Sequence, residues 1–125
     1  MSSNGSVQTP DDVLESRVLS IQSHVVSGYC GNKSAVFPLQ TLGLEVDFIN
    51  SVQFSNHTGY GSWRGQVLDE TDLLDLFAGL RANGLDLSYT HILTGYARSS
   101  GFLRALHTLI AEIKSNRPDV VYCLY

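Results

Sequence analysis

The stretch Asn50-Ser-Val-Gln-Phe-Ser-Asn-His-Thr-Gly-Tyr60 joins an alternating apolar and polar segment directly to a hydroxyl-rich turn. Val52 and Phe54 are typical of strands. Asn56 and Gly59, which follow them, are typical of a turn. Alone, the stretch predicts a strand that ends in a surface loop. A second strand with the same kind of polar ending would favour a ligand-binding edge of a sheet. The sequence contains two such further strands.

Those two further strands are short and apolar. Arg17–Gln22 is β-branched and leads into Ser23 and His24. Tyr89–Thr94 has the same character and leads through a glycine to Tyr96. Both segments therefore predict a buried strand that is followed by a polar loop.

A first helix is expected between the first strand and the segment quoted above. Either Asn32 or Ser34 can cap it, and Gly43 is expected to end it. Pro38 should disturb its first turns, because proline cannot donate to the carbonyl four residues back.

The second and third helices have clear apolar stripes. Asp69 is expected to cap the second helix, and Ser99 or Ser100 the third. Each stripe is expected to face the core of the domain. The stripes consist of Leu73, Leu76, Phe77 and Leu80 in the second helix, and of Phe102, Leu103, Leu106, Leu109, Ile110 and Ile113 in the third.

The alternation of strands and helices predicts a Rossmann-like three-layer α/β/α domain with a mostly parallel sheet. The domain is expected to span residues 17–125 and to end in a strand over Asp119–Tyr125. Trp63–Leu68 is expected to be an edge strand or a flap. Residues 1–16 are poor in apolar side chains, which predicts a flexible N-terminal extension.

The three polar loops are expected to meet at one rim of this sheet. Ligands of parallel α/β sheets bind beyond the carboxyl ends of the strands. The loops are Ser23-His24, Ser55–Tyr60 and Gly95-Tyr96. Their hydroxyl groups, imidazole and aromatic rings, with few charges, suit a small, flat, neutral or weakly charged ligand.

Each candidate side chain also has a purely structural interpretation, which the sequence leaves open. Polar groups after strands close turns more often than they bind ligands. The structural alternatives are a turn for Ser23 and Thr58, a hydrogen-bonded structural role for His24 and His57, surface packing for Tyr96, core packing for Val52 and Phe54, and an inert thiol for Cys30.

The composition, 43% hydrophobic and 16% charged residues in a chain of 125, is that of one globular domain. A net charge of -4 with scattered basic residues predicts no nucleic-acid partner. No apolar run has the length of a membrane span and no signal peptide is evident, so a cytoplasmic location is expected. Cys30 and Cys123 are expected to be free thiols, and the four dispersed histidines predict no metal site.

Five strings in the chain are specific enough to indicate a family. They are Arg17-Val-Leu-Ser-Ile-Gln-Ser-His-Val25, Gly31-Asn-Lys-Ser-Ala-Val-Phe-Pro-Leu-Gln40, Asn50-Ser-Val-Gln-Phe-Ser-Asn-His-Thr-Gly-Tyr60, Gly65-Gln-Val-Leu68 and Leu93-Thr-Gly-Tyr96. Together they resemble the N-terminal part of the pyridoxal kinases, which are enzymes of the ribokinase superfamily. The resemblance spans about Arg17 to Tyr122. It implies a ribokinase-like fold in which Pro38 is a feature of the first helix.

The resemblance implies ATP-dependent phosphorylation of the 5′-hydroxyl of pyridoxal, pyridoxine or pyridoxamine, in vitamin B6 salvage to pyridoxal 5′-phosphate. It implies that Ser23 hydrogen-bonds polar atoms of the vitamin ring and that Thr58 contacts another ring substituent. It implies that Tyr96 stacks on the pyridine ring.

The remaining site residues implied by the resemblance form the wall of the vitamin pocket. Val52 and Phe54 would line its apolar side, with His57 beside them. Cys30 stands where the family usually has an aliphatic wall residue. The segment 52–68 corresponds to a lid that lies near the dimer contact of the family.

The resemblance further implies ATP with Mg²⁺ and a monovalent cation. The family supplies its phosphate-binding loop and catalytic carboxylate from its C-terminal half, and no matching string occurs here, so no catalytic residue is expected in this chain. After Val120-Val-Tyr122 the family continues into an Asp-Pro-containing loop, whereas this chain reads Cys123-Leu-Tyr125. We therefore expect a truncated vitamin-binding part of the kinase without turnover of its own. The alternative is a non-catalytic short form that dimerises with itself or with the full-length kinase.

Overall fold

The computed structural model describes residues 15–97 and 99–124. The strands are β1 Arg17–Val25, β2 Glu45–Phe54, β3 Gly65–Val67, β4 His91–Thr94 and β5 Val121–Leu124. The helices are α1 Asn32–Thr41, α2 Glu70–Ala82 and α3 Ser100–Asn116, and two 3₁₀ turns cover Thr58–Tyr60 and Leu85–Ser88. Within these described ranges, no helix is long and apolar enough to cross a membrane.

The strands form one sheet in the order β3-β2-β1-β4-β5. β1 pairs in parallel with β2 and with β4, and β4 pairs in parallel with β5. Only β3 among these strands runs antiparallel, along the outer edge of β2. The prediction of a mostly parallel α/β sheet is confirmed, and of the two alternatives for Trp63–Leu68 the edge strand is the one observed.

The helices cover both faces of the sheet. Since successive residues of a strand point to opposite faces, a single strand contacts both helical layers. Leu19 and Ile21 of β1 belong to the main core, which also contains buried residues of α2 and α3. Ser20 and Gln22 lie on the opposite face, where Ser20 contacts the first residue of α1. The three layers are therefore α1, the sheet, and the pair α2 and α3.

The predicted caps of the second and third helices are confirmed. The Asp69 carboxylate accepts from the Asp72 N–H, and the Asp72 carboxylate accepts in return from the Asp69 N–H, which completes a capping box. Ser99 Oγ accepts from the Phe102 N–H at the start of α3. Each cap satisfies N–H groups that have no partner inside the helix.

The prediction for the first helix cap is wrong. Gly31 occupies the N-cap position of α1, and neither Asn32 nor Ser34 provides a side-chain cap. Asn32 is buried and bonds to the sheet instead. Pro38 lies inside α1, as the sequence predicted.

Two members of the predicted apolar stripes do not face the core. Leu76 of α2 is 45% exposed and Leu103 of α3 is 54% exposed. The two helices pack side by side on the sheet, so residues on their outer flanks stay in contact with solvent. Tyr89 lies before β4 rather than within it, but its side chain is fully buried.

The predicted N-terminal extension falls mainly on residues 1–14, which lie outside the described residues, as do Arg98 and Tyr125. Ser16 is buried, and its carbonyl accepts from the Glu45 N–H at 3.2 Å. This residue therefore joins the first two strands at their amino ends.

Candidate functional site

A pocket of about 460 Å³ opens at the carboxyl ends of β1, β2 and β4. This is the rim at which parallel α/β sheets bind ligands. All the residues that the sequence analysis assigned to the vitamin site line it, namely Ser23, Cys30, Val52, Phe54, His57, Thr58 and Tyr96. Four further lining residues were not assigned: Val25, Ser51, Asn56 and Trp63. The roles of all these side chains in binding a ligand stay predictions.

A bulge between β1 and β2 shapes the floor of the pocket. Gln22 pairs with Asn50 and the residue two further on, His24, pairs with Gln53, so Ser51 and Val52 both lie opposite Ser23. An extra residue of this kind breaks the alternation of side chains along a strand. Both Ser51 and Val52 are consequently buried and line the pocket.

The apolar wall is a small cluster that is separate from the main core. Val25, Val52 and Phe54 are its buried members, and the partly buried Cys30 packs against them. The Trp63 ring extends this wall, since its centroid lies 6.3 Å from that of Phe54. The strand pattern predicted the buried residues, whereas Trp63 reaches the pocket only because β3 folds back along β2.

The carboxyl end of β1 and the loop that follows it each bring one polar group to the pocket. The prediction of a loop at Ser23-His24 is wrong, because β1 continues to Val25. Ser23 Oγ and Cys30 Sγ lie 3.9 Å apart, and either atom can be the donor. Lys33 of α1 holds the outer part of this loop, since its Nζ donates to the Val26 carbonyl at 2.5 Å and lies 5.3 Å from the centre of the Tyr29 ring. The loop is thus tied to the helix that follows it.

The loop after β2 is held in shape by its own side chains. Asn56 Nδ2 donates to the carbonyls of His57, at 3.1 Å, and Ser62, at 2.9 Å. The ends of the loop are joined by the Ser55 N–H, which donates to the Arg64 carbonyl at 2.7 Å. Thr58 therefore sits at the start of a braced 3₁₀ turn rather than on an unsupported segment.

His57 caps this 3₁₀ turn and also faces the pocket. Its Nδ1 accepts from the Gly59 N–H at 2.9 Å. A neutral ring that accepts at Nδ1 carries its proton on Nε2, so this hydrogen bond assigns the tautomer. His57 therefore offers a donor, not an acceptor, at its second ring nitrogen.

Tyr96 approaches the pocket from the end of β4. The Gly95 N–H before it donates to the Ile21 carbonyl at 3.1 Å, which fixes this end of β4 against β1. The side chain of Tyr96 is 82% exposed, so most of its ring surface is free to be covered by a ligand. Stacking a flat ligand on the Tyr96 ring removes apolar surface of both from water, which favours binding.

Among the described residues that line the pocket there is no Asp, Glu, Lys or Arg. Their polar groups are hydroxyls, one amide, one imidazole, one indole N–H and one thiol, and the remaining wall is apolar or aromatic. Such a lining suits a small, flat, neutral ring with several hydrogen-bonding substituents. Over residues 15–97 and 99–124 no group of three or more His, Cys, Asp or Glu is arranged to hold a metal ion.

A second depression of about 540 Å³ is larger but is a weaker candidate. It lies beside α1, away from the carboxyl ends of the strands, and its lining includes Leu39, Leu42, Leu44 and Leu93. An apolar groove with few polar groups lacks the means to orient a polar ligand. The pocket at the strand ends is therefore the candidate site.

The chain is similar in sequence to known proteins that are named pyridoxal kinases. No family model matches the chain. Human pyridoxal kinase is 54% identical over 108 residues, which make up 86% of this chain and 34% of that protein. Pyridoxal kinase of Arabidopsis thaliana is 57% identical over 117 residues, which cover 94% of this chain and 37% of that one.

The same likeness holds for solved structures. Pyridoxal kinase from Leishmania donovani in complex with ADP and pyridoxamine matches with a TM-score of 0.83 and 42% sequence identity. The match covers 86% of this chain and 38% of that protein. The chain thus spans little more than a third of the length of the relatives that it matches.

Proposed function

The chain belongs to the pyridoxal kinase family, and we propose that it forms the vitamin-binding part of an enzyme that phosphorylates the 5′-hydroxyl of pyridoxal, pyridoxine or pyridoxamine with ATP. The observation that carries this proposal is the convergence of three strand ends on one pocket whose described lining residues carry no charge. Ser23, Thr58 and Tyr96 come from the ends of three different strands, and all of them line it.

In this proposal the side chains bind and orient the vitamin ring. Ser23 and Thr58 exchange hydrogen bonds with its polar substituents, and Nε2 of His57 donates one. Tyr96 covers one face of the pyridine ring, while Val52 and Phe54 exclude water on the apolar side. Holding the ring in this way places its 5′-hydroxyl at a fixed position, which is the main contribution that a binding site makes to phosphoryl transfer.

The proposal also covers the phosphate donor and the metal ions, which none of the described residues is seen to bind. ATP is the phosphate donor, and Mg²⁺ and a monovalent cation assist the transfer. The resemblance to the pyridoxal kinases supports both parts of this proposal.

The segment 52–68 contacts a second copy of this chain or a full-length kinase. The exposure of Tyr60 and Trp63 supports such a contact. Sedimentation velocity of the purified chain tests this pairing. A cytoplasmic location is supported by the two free thiols, Cys30 and Cys123.

Protection of a thiol by ligand tests the vitamin site. Cys30 lines the pocket and Cys123 lies outside it, so the chain carries its own control. Pyridoxine should slow the alkylation of Cys30 by N-ethylmaleimide and leave that of Cys123 unchanged, as followed by mass spectrometry. Pyridoxine is the suitable vitamer because it has no aldehyde to react with lysine or cysteine. Equal rates with and without pyridoxine at both cysteines would contradict the proposal.

A matched pair of threonine variants assigns the contact. Thr58→Ala should weaken pyridoxine binding about fivefold, the effect of losing one neutral hydrogen bond. Thr108→Ala, on the exposed side of α3, should leave the affinity unchanged. Trp63 is the single tryptophan of the chain and lines the pocket, so its fluorescence measures binding directly. Unchanged affinity in Thr58→Ala would remove this residue from the site.

A further inference from the structure

A buried hydrogen-bonded network lies in the sheet next to the pocket, centred on Asn32. This residue is 2% exposed and is the first residue of α1. Its Nδ2 donates to the Ile49 carbonyl at 2.8 Å, to Asn50 Oδ1 at 2.9 Å and, more weakly, to the Gln22 carbonyl at 3.3 Å. One amide group therefore joins β1 and β2 near their carboxyl ends.

The network continues along β1. Ser20 Oγ donates to Asn32 Oδ1 at 2.7 Å, and Gln22 Nε2 donates to Ser20 Oγ at 3.1 Å. No buried side-chain nitrogen or oxygen of the described residues lacks a partner. A fully satisfied network of this kind fixes the spacing of the groups that it joins, and one missing member leaves its partners buried without a hydrogen bond.

Two glycines let the loops close onto this network. Gly31 has a φ of +54°, and a Cβ there would lie 2.5 Å from Ser23 Oγ and nearer still to the Ser23 carbonyl oxygen. A Cβ on Gly95, the residue before Tyr96, would lie 3.1 Å from Gln22 Oε1. At Gly31 only a hydrogen atom allows this close approach, whereas a Cβ at Gly95 would require the end of the Gln22 side chain to shift slightly.

We propose that Gly31 and Asn32 are positioning residues for the vitamin pocket. Gly31 lets the first turn of α1 close on Ser23, and Asn32 holds the ends of β1 and β2 at the spacing that the pocket requires. Gln22, a member of the same network, also lies next to Gly95, the residue that precedes Tyr96. The inference rests on the proposed function, because the side chains that are positioned are those assigned to the vitamin.

The amide of Asn32 is specifically required for this role. Three oxygen atoms face its Nδ2, so Asn32→Asp keeps the shape of the side chain but turns an oxygen toward three other oxygens. Gly31→Ala tests the other half of the proposal, since its methyl group forces the Ser23 backbone to move. Both residues belong to α1 or to its cap, on the face of the sheet opposite α2 and α3.

The reactivity of Cys30 reports the position of the loop without any ligand. In Asn32→Asp and in Gly31→Ala, the rate of alkylation of Cys30 relative to that of Cys123 should rise about tenfold. Pyridoxine should bind about tenfold more weakly to both variants. Asn32→Asp leaves buried partners unpaired, and Gly31→Ala displaces the Ser23 backbone. Leu109→Ala is the control, because Leu109 is fully buried in the main core and far from the network. It should lower overall stability while changing neither the cysteine ratio nor the affinity.

The outcomes separate positioning from general stability. Unchanged cysteine ratios in the two network variants, or an equal rise in Leu109→Ala, would overturn the positioning role. If circular dichroism shows that Asn32→Asp does not fold, Ser20→Ala, which removes one bond of the network, decides in its place. A wild-type chain that does not bind pyridoxine would contradict the proposed function, and the cysteine ratios would still judge the positioning role.

Discussion

Tyr89 and Asp47 form a partly buried hydrogen bond near the amino ends of the strands, and the stability lost when it is removed should depend on pH. The Tyr89 side chain is fully buried, and its hydroxyl donates to Asp47 Oδ2 at 2.7 Å. Arg17 also donates to the Asp47 carboxylate, at 3.3 Å. Burial first, and then the hydrogen bond and the charge of Asp47, raise the pKa of Tyr89 well above its ordinary value. Tyr89→Phe removes the hydroxyl and preserves the ring.

At neutral pH, Tyr89→Phe should lower the free energy of unfolding by about 1.5 kcal/mol, the lower end of the range for a hydrogen bond to a charged group. The lower end applies because Asp47 keeps Arg17 and its side chain is 40% exposed to water. Above about pH 10 an unfolded tyrosine loses its proton while the folded one retains it. The unfolded state then binds fewer protons, so the wild-type protein loses about 1.4 kcal/mol per pH unit through this group.

Urea unfolding of both proteins between pH 7 and pH 11, followed by circular dichroism, measures this difference. The gap between wild type and Tyr89→Phe should shrink from about 1.5 kcal/mol at pH 7 to near zero at pH 11. Tyr60→Phe is the control, because Tyr60 is 78% exposed, and its curve should follow that of the wild type. A gap that stays constant across this range would refute the assignment of the alkaline instability to Tyr89.

Two further substitutions test the scaffold. Asp69→Ala removes the capping box at the start of α2 and should cost about 1 kcal/mol of stability in urea unfolding, with no change when Asp75, on the same helix, is replaced instead. Leu109→Ala leaves a cavity in the main core and should cost about 2 to 5 kcal/mol; a loss below 1 kcal/mol would show that the core around α3 collapses to fill the space.

The sequence was informative where structure follows from neighbouring residues. The caps at Asp69 and Ser99 were predicted because capping depends on a side chain and an N–H three residues away. The meeting of Ser23, Thr58 and Tyr96 at one rim was predicted because parallel strands place their carboxyl ends on one side of the sheet. The predicted loop at Ser23-His24 is part of β1 instead, and His24 does not line the pocket. The proposed ligand and the proposed roles of Ser23 and Tyr96 come only from the resemblance to pyridoxal kinases.

The features that sequence patterns missed depend on pairing between distant segments. Asn32 looks like a helix cap, but its amide donates to a carbonyl on β2, 17 residues away. The bulge that turns both Ser51 and Val52 to the pocket depends on the register of β1 against β2, which no local pattern specifies. Trp63 reaches the pocket through the antiparallel return of β3, a choice that the sequence left open.

The placement of β3 gives the two walls of the pocket unequal resistance to local opening. β3 pairs with β2 at only three positions and its residues are all exposed, whereas β1 is paired along both sides. Amide hydrogens near Gly65 and Val67 should therefore exchange with solvent through small local fluctuations, while those in the middle of β1 exchange only when the whole domain unfolds.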